Sequence, residues 1–381
     1  MKSYLSMALC LCFFISFAQI KTETFESFKL NERRPIKIYV PENYSEEKSY
    51  PLLVVMDAEY LFDLTVSNVK FYSYWQEMPE AIVVGIDQNY NSIRFEDADF
   101  SDQDGLPKEK GNEFFEFIGN ELVPYLQSNY TIANFKGIVG HSITANFSNY
   151  YLFKENPLFD AYIVLSPELA PMMENRVPER LAVFEDKKFY YLATSDRDKK
   201  QYKSRIADMN TAIKTIENEN LHYYFDNFKE ASHHSIASYA IPKALDQIFN
   251  VYKPISREEY KNKMLALETP VFEYLTEKYE TIETLFGFKK QVSLNDIMAT
   301  YAAIQKKEDL PSLENLSKLS KKEYPDTMLG FFFEAEYHEQ MGEPKKALRT
   351  YEKAFGMPEI DFLTKDMMLD RIDSLKADFG W

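Results

Sequence analysis

A serine hydroxyl becomes a useful nucleophile only where the chain presents it on a sharp turn beside a base. The stretch Phe135-Lys136-Gly137-Ile138-Val139-Gly140-His141-Ser142-Ile143-Thr144-Ala145-Asn146-Phe147 has the composition for such a turn. A short apolar run ends in Gly140, Ser142 follows, and Ala145 to Phe153 can be helical. That is the strand–turn–helix setting of a nucleophile elbow, whose neighbours at −2 and +2 must be small. Gly140 meets the first requirement, whereas Thr144 stands where a second glycine is usual. By itself the pattern also describes an ordinary strand-to-helix turn with a capping serine. Of the five histidines, His141 lies inside the turn, His222 opens a strand and His338 belongs to C-terminal helices. His233 and His234 remain, in a loop downstream of the serine, where the order Ser…Asp…His requires a base. Asp196 and Asp198, after the preceding strand, are the two carboxylates that suit an orienting role.

Those residues need a scaffold that brings them to one edge. Glu32 to Val40 alternates as a half-buried strand does. Tyr50–Met56, Ala81–Ile86, Asp160–Leu165 and Phe189–Thr194 read as strands buried on both faces, and His222–Phe225 as a last strand. Gly111–Asn129, Tyr202–Ile216 and Ser238–Tyr252 carry helical periodicity, with Pro124 set to kink or end the first. Alternating strands and helices predict an α/β fold, a mostly parallel sheet with helices on both faces. Asp57, Ser142, Ser166, Asp198 and His233 each follow a predicted strand, so they are expected along one carboxyl-end rim.

With these residues in view, the chain resembles the putative-esterase family of α/β-hydrolases, which includes esterase D and the ferric-enterobactin esterases. Pro51-Leu52-Leu53-Val54-Val55-Met56-Asp57-Ala58-Glu59 is similar to the family's strand and oxyanion region. Arg94-x-x-Asp97 is similar to its R-x-x-D loop, Gly140-His141-Ser142-Ile143 to its GHS turn, and Ser232-His233-His234-Ser235-Ile236 to its histidine motif. The four motifs fall in the family's order over about residues 30 to 253. The resemblance implies the α/β-hydrolase fold and a serine esterase with Ser142 as nucleophile, His233 as base and Asp198 as acid. Asp196 is the alternative acid, because Ser195 stands where the family has glycine. It also implies backbone oxyanion donors at Ala58 and Ile143, a small-molecule ester substrate and no cofactor. Thr144 and Ala145 depart from the family's paired glycines. That departure, with the helical C-terminal region, leaves an impaired hydrolase-like binding protein as a second reading; a peptidase on the same fold is a third.

The bulk properties exclude more than they assign. The 381 residues carry a formal net charge of −16 from 60 acidic and 44 basic side chains, which argues against a nucleic-acid or anionic-membrane partner. Glu96, Asp97, Asp99, Asp102 and Asp104 lack the ligand spacing of a calcium loop and read as a solvated acidic loop. No cluster of His and Cys suggests zinc, so no metal is expected. Residues 1–18 read as a secretory signal: Lys2, an apolar Leu5–Phe17 too short to span a bilayer, and a cleavage site near Ala18. Cys10 and Cys12 both lie within it. A periplasmic or secreted mature protein without cysteine is therefore expected, with residues 19–253 as the hydrolase domain and 254–381 as a helical region. In that region Ala335, Gly342, Ala347, Tyr351, Ala354 and Pro358 match a tetratricopeptide-like helix pair. Such helices serve either as a cap on the catalytic domain or as a surface for a protein partner.

Overall fold

The computed structural model describes residues 19–88 and 93–380, so the signal-like segment lies outside the described residues. An eight-stranded sheet organises the first two-thirds of the chain: β1 (Ile20–Ser27), β2 (Glu32–Tyr39), β3 (Tyr50–Val55), β4 (Ile82–Ile86), β5 (Ile132–His141), β6 (Ala161–Leu165), β7 (Lys188–Arg197) and β8 (Leu221–Ser232). Their order is β1-β2-β4-β3-β5-β6-β7-β8. Strands β3 to β8 run parallel, and β1 and β2 form an antiparallel edge. Every residue of β3, β4 and β6 is buried, as expected of strands covered on both faces.

Around the sheet lie α1 (Ala58–Tyr74), α2 (Ile93–Ala98), α3 (Glu109–Phe117), α4 (Val123–Asn129), α5 (Ile143–Ser148), α6 (Met173–Leu181), α7 (Lys200–Lys214) and α8 (Ile236–Ile248). The structure differs from the sequence reading in three instructive places. Arg94 to Asp97 forms the helix α2 rather than an acidic loop, and Asp97 is buried rather than solvated. Its carboxylate meets the fully buried Arg34 (Nη1–Oδ2 2.5 Å), which offsets the cost of burying each charge. Pro124 falls in the first turn of a separate helix segment, α4, rather than inside one uninterrupted helix. A π turn, Ile118–Leu122, joins α3 to α4 and lets the proline enter at the first turn of α4, where an N–H is not required. Finally, β8 continues well beyond Phe225, which matters for the site.

After residue 253 the chain is helical: α9 (Arg257–Asn262), α10 (Val271–Phe286), α11 (Leu294–Lys307), α12 (Leu310–Glu323), α13 (Leu329–Gln340), α14 (Pro344–Phe355) and α15 (Lys365–Phe379). These helices enclose a core of their own that includes Leu316, Phe333, Ala347 and Tyr351. Helix α10 ties them to the sheet unit. Its Phe286 ring sits 5.1 Å from Phe135 on β5 and 5.2 Å from Phe249, edge-on and tilted as aromatic pairs prefer. Among the described residues no helix is long and apolar enough to cross a membrane.

Candidate active site

The ladder itself sets the rim. His141 on β5 pairs with Leu165 on β6, so Ser142 and Ser166 emerge side by side. On the last two strands Ser195 pairs with Phe228, a register that would set Asp198 beside Ala231. An irregularity then advances β8, so that Arg197 pairs with Ser232 and the next residues are Asp198 and His233. His233 Nδ1 lies 2.8 Å from Asp198 Oδ1. Asp196 is exposed, and its Oδ1 accepts from Asn227 Nδ2 at 2.9 Å. His234 is exposed as well.

Asp198 is buried beneath the rim. Burial pushes its carboxyl up, but hydrogen bonding, first of all from His233 and with the Lys199 N–H among the other donors, outweighs burial and holds it below the usual carboxylate value. Thr194 Oγ1 donates to the second oxygen at 3.2 Å. The carboxylate is thus ionised at neutral pH and points at one imidazole nitrogen.

Ser142 has φ 60° and ψ −118°, a conformation that costs a non-glycine residue about 1–3 kcal/mol. The turn is held by Ser142 N–H donating to Leu165 O (2.9 Å) and by its own carbonyl accepting from Asn146 and Glu168. A Cβ on Gly140 would stand 2.7 Å from the Thr144 carbonyl oxygen and 2.8 Å from the Ala145 nitrogen. The close approach therefore involves the backbone of residues 144 and 145, not the side chain at +2. Thr144 is accommodated because its side chain leaves the turn and enters a polar network. Its hydroxyl donates to Asp57 Oδ2 (2.6 Å) and accepts from His141 N–H (3.0 Å). Asp57 is in turn clamped by Arg94 (Nε–Oδ1 2.5 Å), which also donates to the His141 carbonyl at 2.7 Å. Thr144→Val keeps the shape but strands these buried partners. We expect a loss of about 1–3 kcal/mol in urea unfolding, largely restored in Thr144→Ser. An unchanged midpoint would show that the hydroxyl contributes nothing.

Ala58 and Ile143 are the first residues of α1 and α5, where backbone N–H groups have no partner within the helix. Each follows a residue at positive φ, Asp57 (55°) and Ser142 (60°), so both helices start abruptly at the rim. His141, which lies inside the turn, is not left facing solvent. In the structure its ring is buried between Tyr60 and the His233 loop. His222 instead stacks on Phe189 (4.5 Å), and His338 bonds Glu343 in the helical region. Among the described residues no three or more His, Cys, Asp or Glu side chains gather as a metal site.

Residues 27–240 match the model of a family described as putative esterase. A crystal structure of an uncharacterised protein from Capnocytophaga ochracea DSM 7271 is 39% identical, with a TM-score of 0.87 over 94% of this chain and 100% of that one. Coverage that wide takes in the C-terminal helices. An IroE-like serine hydrolase from Shewanella oneidensis is 20% identical, at a TM-score of 0.60 over 80% of this chain and 99% of its own. The BES protein from Bacillus cereus is 18% identical, at 0.52 over 65% and 98%. The last two likenesses are of fold. No curated protein matches the chain.

Proposed function

The chain belongs to the putative esterase family and is a carboxylic ester hydrolase; on that premise we propose that Ser142 is its nucleophile, His233 its general base and Asp198 the orienting acid. The observation that carries the reading is the hydrogen bond from His233 Nδ1 to the buried Asp198 carboxylate, at the rim where Ser142 is held strained. With Nδ1 donating to Asp198, His233 Nε2 is the basic nitrogen. It takes the Ser142 proton as Oγ attacks the ester carbonyl. The N–H groups of Ala58 and Ile143 receive the developing oxyanion, and the alcohol leaves with the proton from Nε2. Water, activated by the same nitrogen, then releases the acid. No cofactor is needed for these steps.

The test is hydrolysis of p-nitrophenyl butyrate together with labelling by a fluorophosphonate, followed by mapping of the adduct. The expected result is turnover with the label on Ser142. Inert protein that resists the label would favour the binding-protein reading, and cleavage of peptides over esters the peptidase. Export belongs to the same proposal: residues 1–18 act as the signal, and the mature chain starts near Gln19, with β1 beginning at Ile20. Residues 19–253 then form the catalytic unit and 254–381 a tetratricopeptide-like unit that docks through Phe286 and leaves its outer helices for a protein partner. The burial of Ala335, Ala347, Tyr351 and Ala354 supports that likeness.

A further inference from the structure

His141 precedes the serine, yet its ring does not face outward. Nε2 lies 2.7 Å from the backbone carbonyl oxygen of His233, and Nδ1 lies 3.0 Å from the Tyr60 hydroxyl. A carbonyl only accepts, so Nε2 carries the proton and Nδ1 accepts from Tyr60 O–H. The tautomer is thereby fixed. Arg94 reinforces it, reaching the Tyr60 oxygen at 3.4 Å and the His141 carbonyl at 2.7 Å. The His141 and His233 rings stand 4.7 Å apart, tilted by 40°.

We propose that His141 is a positioning residue for the base: its Nε2–H holds the His233 backbone, so that the nucleophile turn and the histidine loop keep one spacing. The inference rests on the assignment of Ser142 and His233 given above. Asp198 restrains the His233 ring through Nδ1 but leaves the backbone free to shift, and His233 sits in a turn just past the end of β8. The hydrogen bonds between Ser232 and Ser235 brace the base of that turn, while His141 braces its top. Because proton transfer requires hydrogen-bond reach, a drift of about 1 Å there lowers the rate by up to about 100-fold. Burial, and then the neighbouring His233, push the His141 imidazole down to about 3, so the brace stays neutral through the working range.

His141→Leu removes the donor and His141→Gln supplies an amide N–H of similar reach. The leucine variant is expected to lose about 30- to 100-fold in kcat on p-nitrophenyl butyrate, with KM within about twofold. The glutamine variant should stay within about fivefold of wild type in kcat. A leucine variant within threefold of wild type overturns the proposal, as does a glutamine variant as impaired as the leucine one. Should the leucine variant not fold, Tyr60→Phe decides, since Tyr60 is 40% exposed and lies at the rim. Loss of its hydroxyl leaves Nδ1 without its donor, so the ring is anchored at Nε2 alone, where the His233 carbonyl still holds the proton. The expected signature is a 3- to 10-fold fall in kcat with His141 retaining the Nε2–H tautomer in ¹⁵N-histidine spectra of the full chain, and an unchanged kcat or a spectrum without Nε2–H overturns the proposal. A wild-type spectrum with Nε2 unprotonated also overturns it. Should Ser142→Ala remain fully active, the nucleophile assignment fails instead, and the tautomer measurement still reports on His141 alone.

Discussion

Ser142→Ala is expected to lower kcat/KM for p-nitrophenyl butyrate by about four to six orders of magnitude and to abolish fluorophosphonate labelling. The size follows from the chemistry, because without Oγ there is no acyl-enzyme and only the oxyanion donors and binding remain. The protein itself should be unaffected. The Ser142 side chain makes no capping hydrogen bond to α5, and alanine retains the Cβ, so stability should stay within about 0.5 kcal/mol. Ser142→Gly separates strain from chemistry. Glycine accepts φ 60° without penalty, so this variant should be equally inactive yet more stable, by about 1–3 kcal/mol in urea unfolding. A glycine variant no more stable than the alanine one would mean that the turn stores no strain. An alanine variant with wild-type rates would place the nucleophile elsewhere.

The sheet was largely legible because its central strands are apolar on both faces, and continuous runs such as Leu52–Val55 and Ile82–Val84 announce that without an alignment. What escaped were elements without such runs. The edge strand β1, Ile-Lys-Thr-Glu-Thr-Phe-Glu-Ser, is half solvated, and only Phe25 reaches the core. Helix α1 is present in the spacing of Ala58, Leu61, Phe62, Thr65, Val66 and Val69, all buried, but this stretch follows the apolar strand Tyr50–Met56 with no glycine or proline to mark where a helix begins. Helix α6 carries Pro178, which hid it. In the site, residue types and chain order pointed to a serine, a downstream histidine and a carboxylate after the preceding strand. Local sequence left Asp196 and Asp198 open, because the contact depends on a register irregularity between β7 and β8. The same holds for Thr144 and His141. Their partners, Asp57 and the His233 carbonyl, are 87 and 92 residues away in the chain. A hydroxyl at a position that normally holds glycine was the one available signal for Thr144.

That register supplies the second large effect. Asp198→Asn should lower kcat by about 10³- to 10⁴-fold, whereas Asp196→Asn should leave it within about twofold. The amide keeps the size of the carboxylate and an oxygen for the Lys199 N–H, so the loop geometry survives. What disappears is the negative charge against the imidazolium that forms as Ser142 gives up its proton, in a buried setting where water screens poorly. Stability should follow the same charge. Hydrogen bonding, led by His233, overcomes burial and holds the native Asp198 carboxyl below its unfolded value. Its contribution is therefore complete above the unfolded carboxylate value and is lost as pH falls through the native one. Wild type should thus exceed Asp198→Asn in urea midpoint at pH 7, with the gap closing on acidification below the ordinary carboxylate range. A gap that widens in acid, or equal kcat losses for the two asparagine variants, would break the link between the Asp198–His233 pair and turnover.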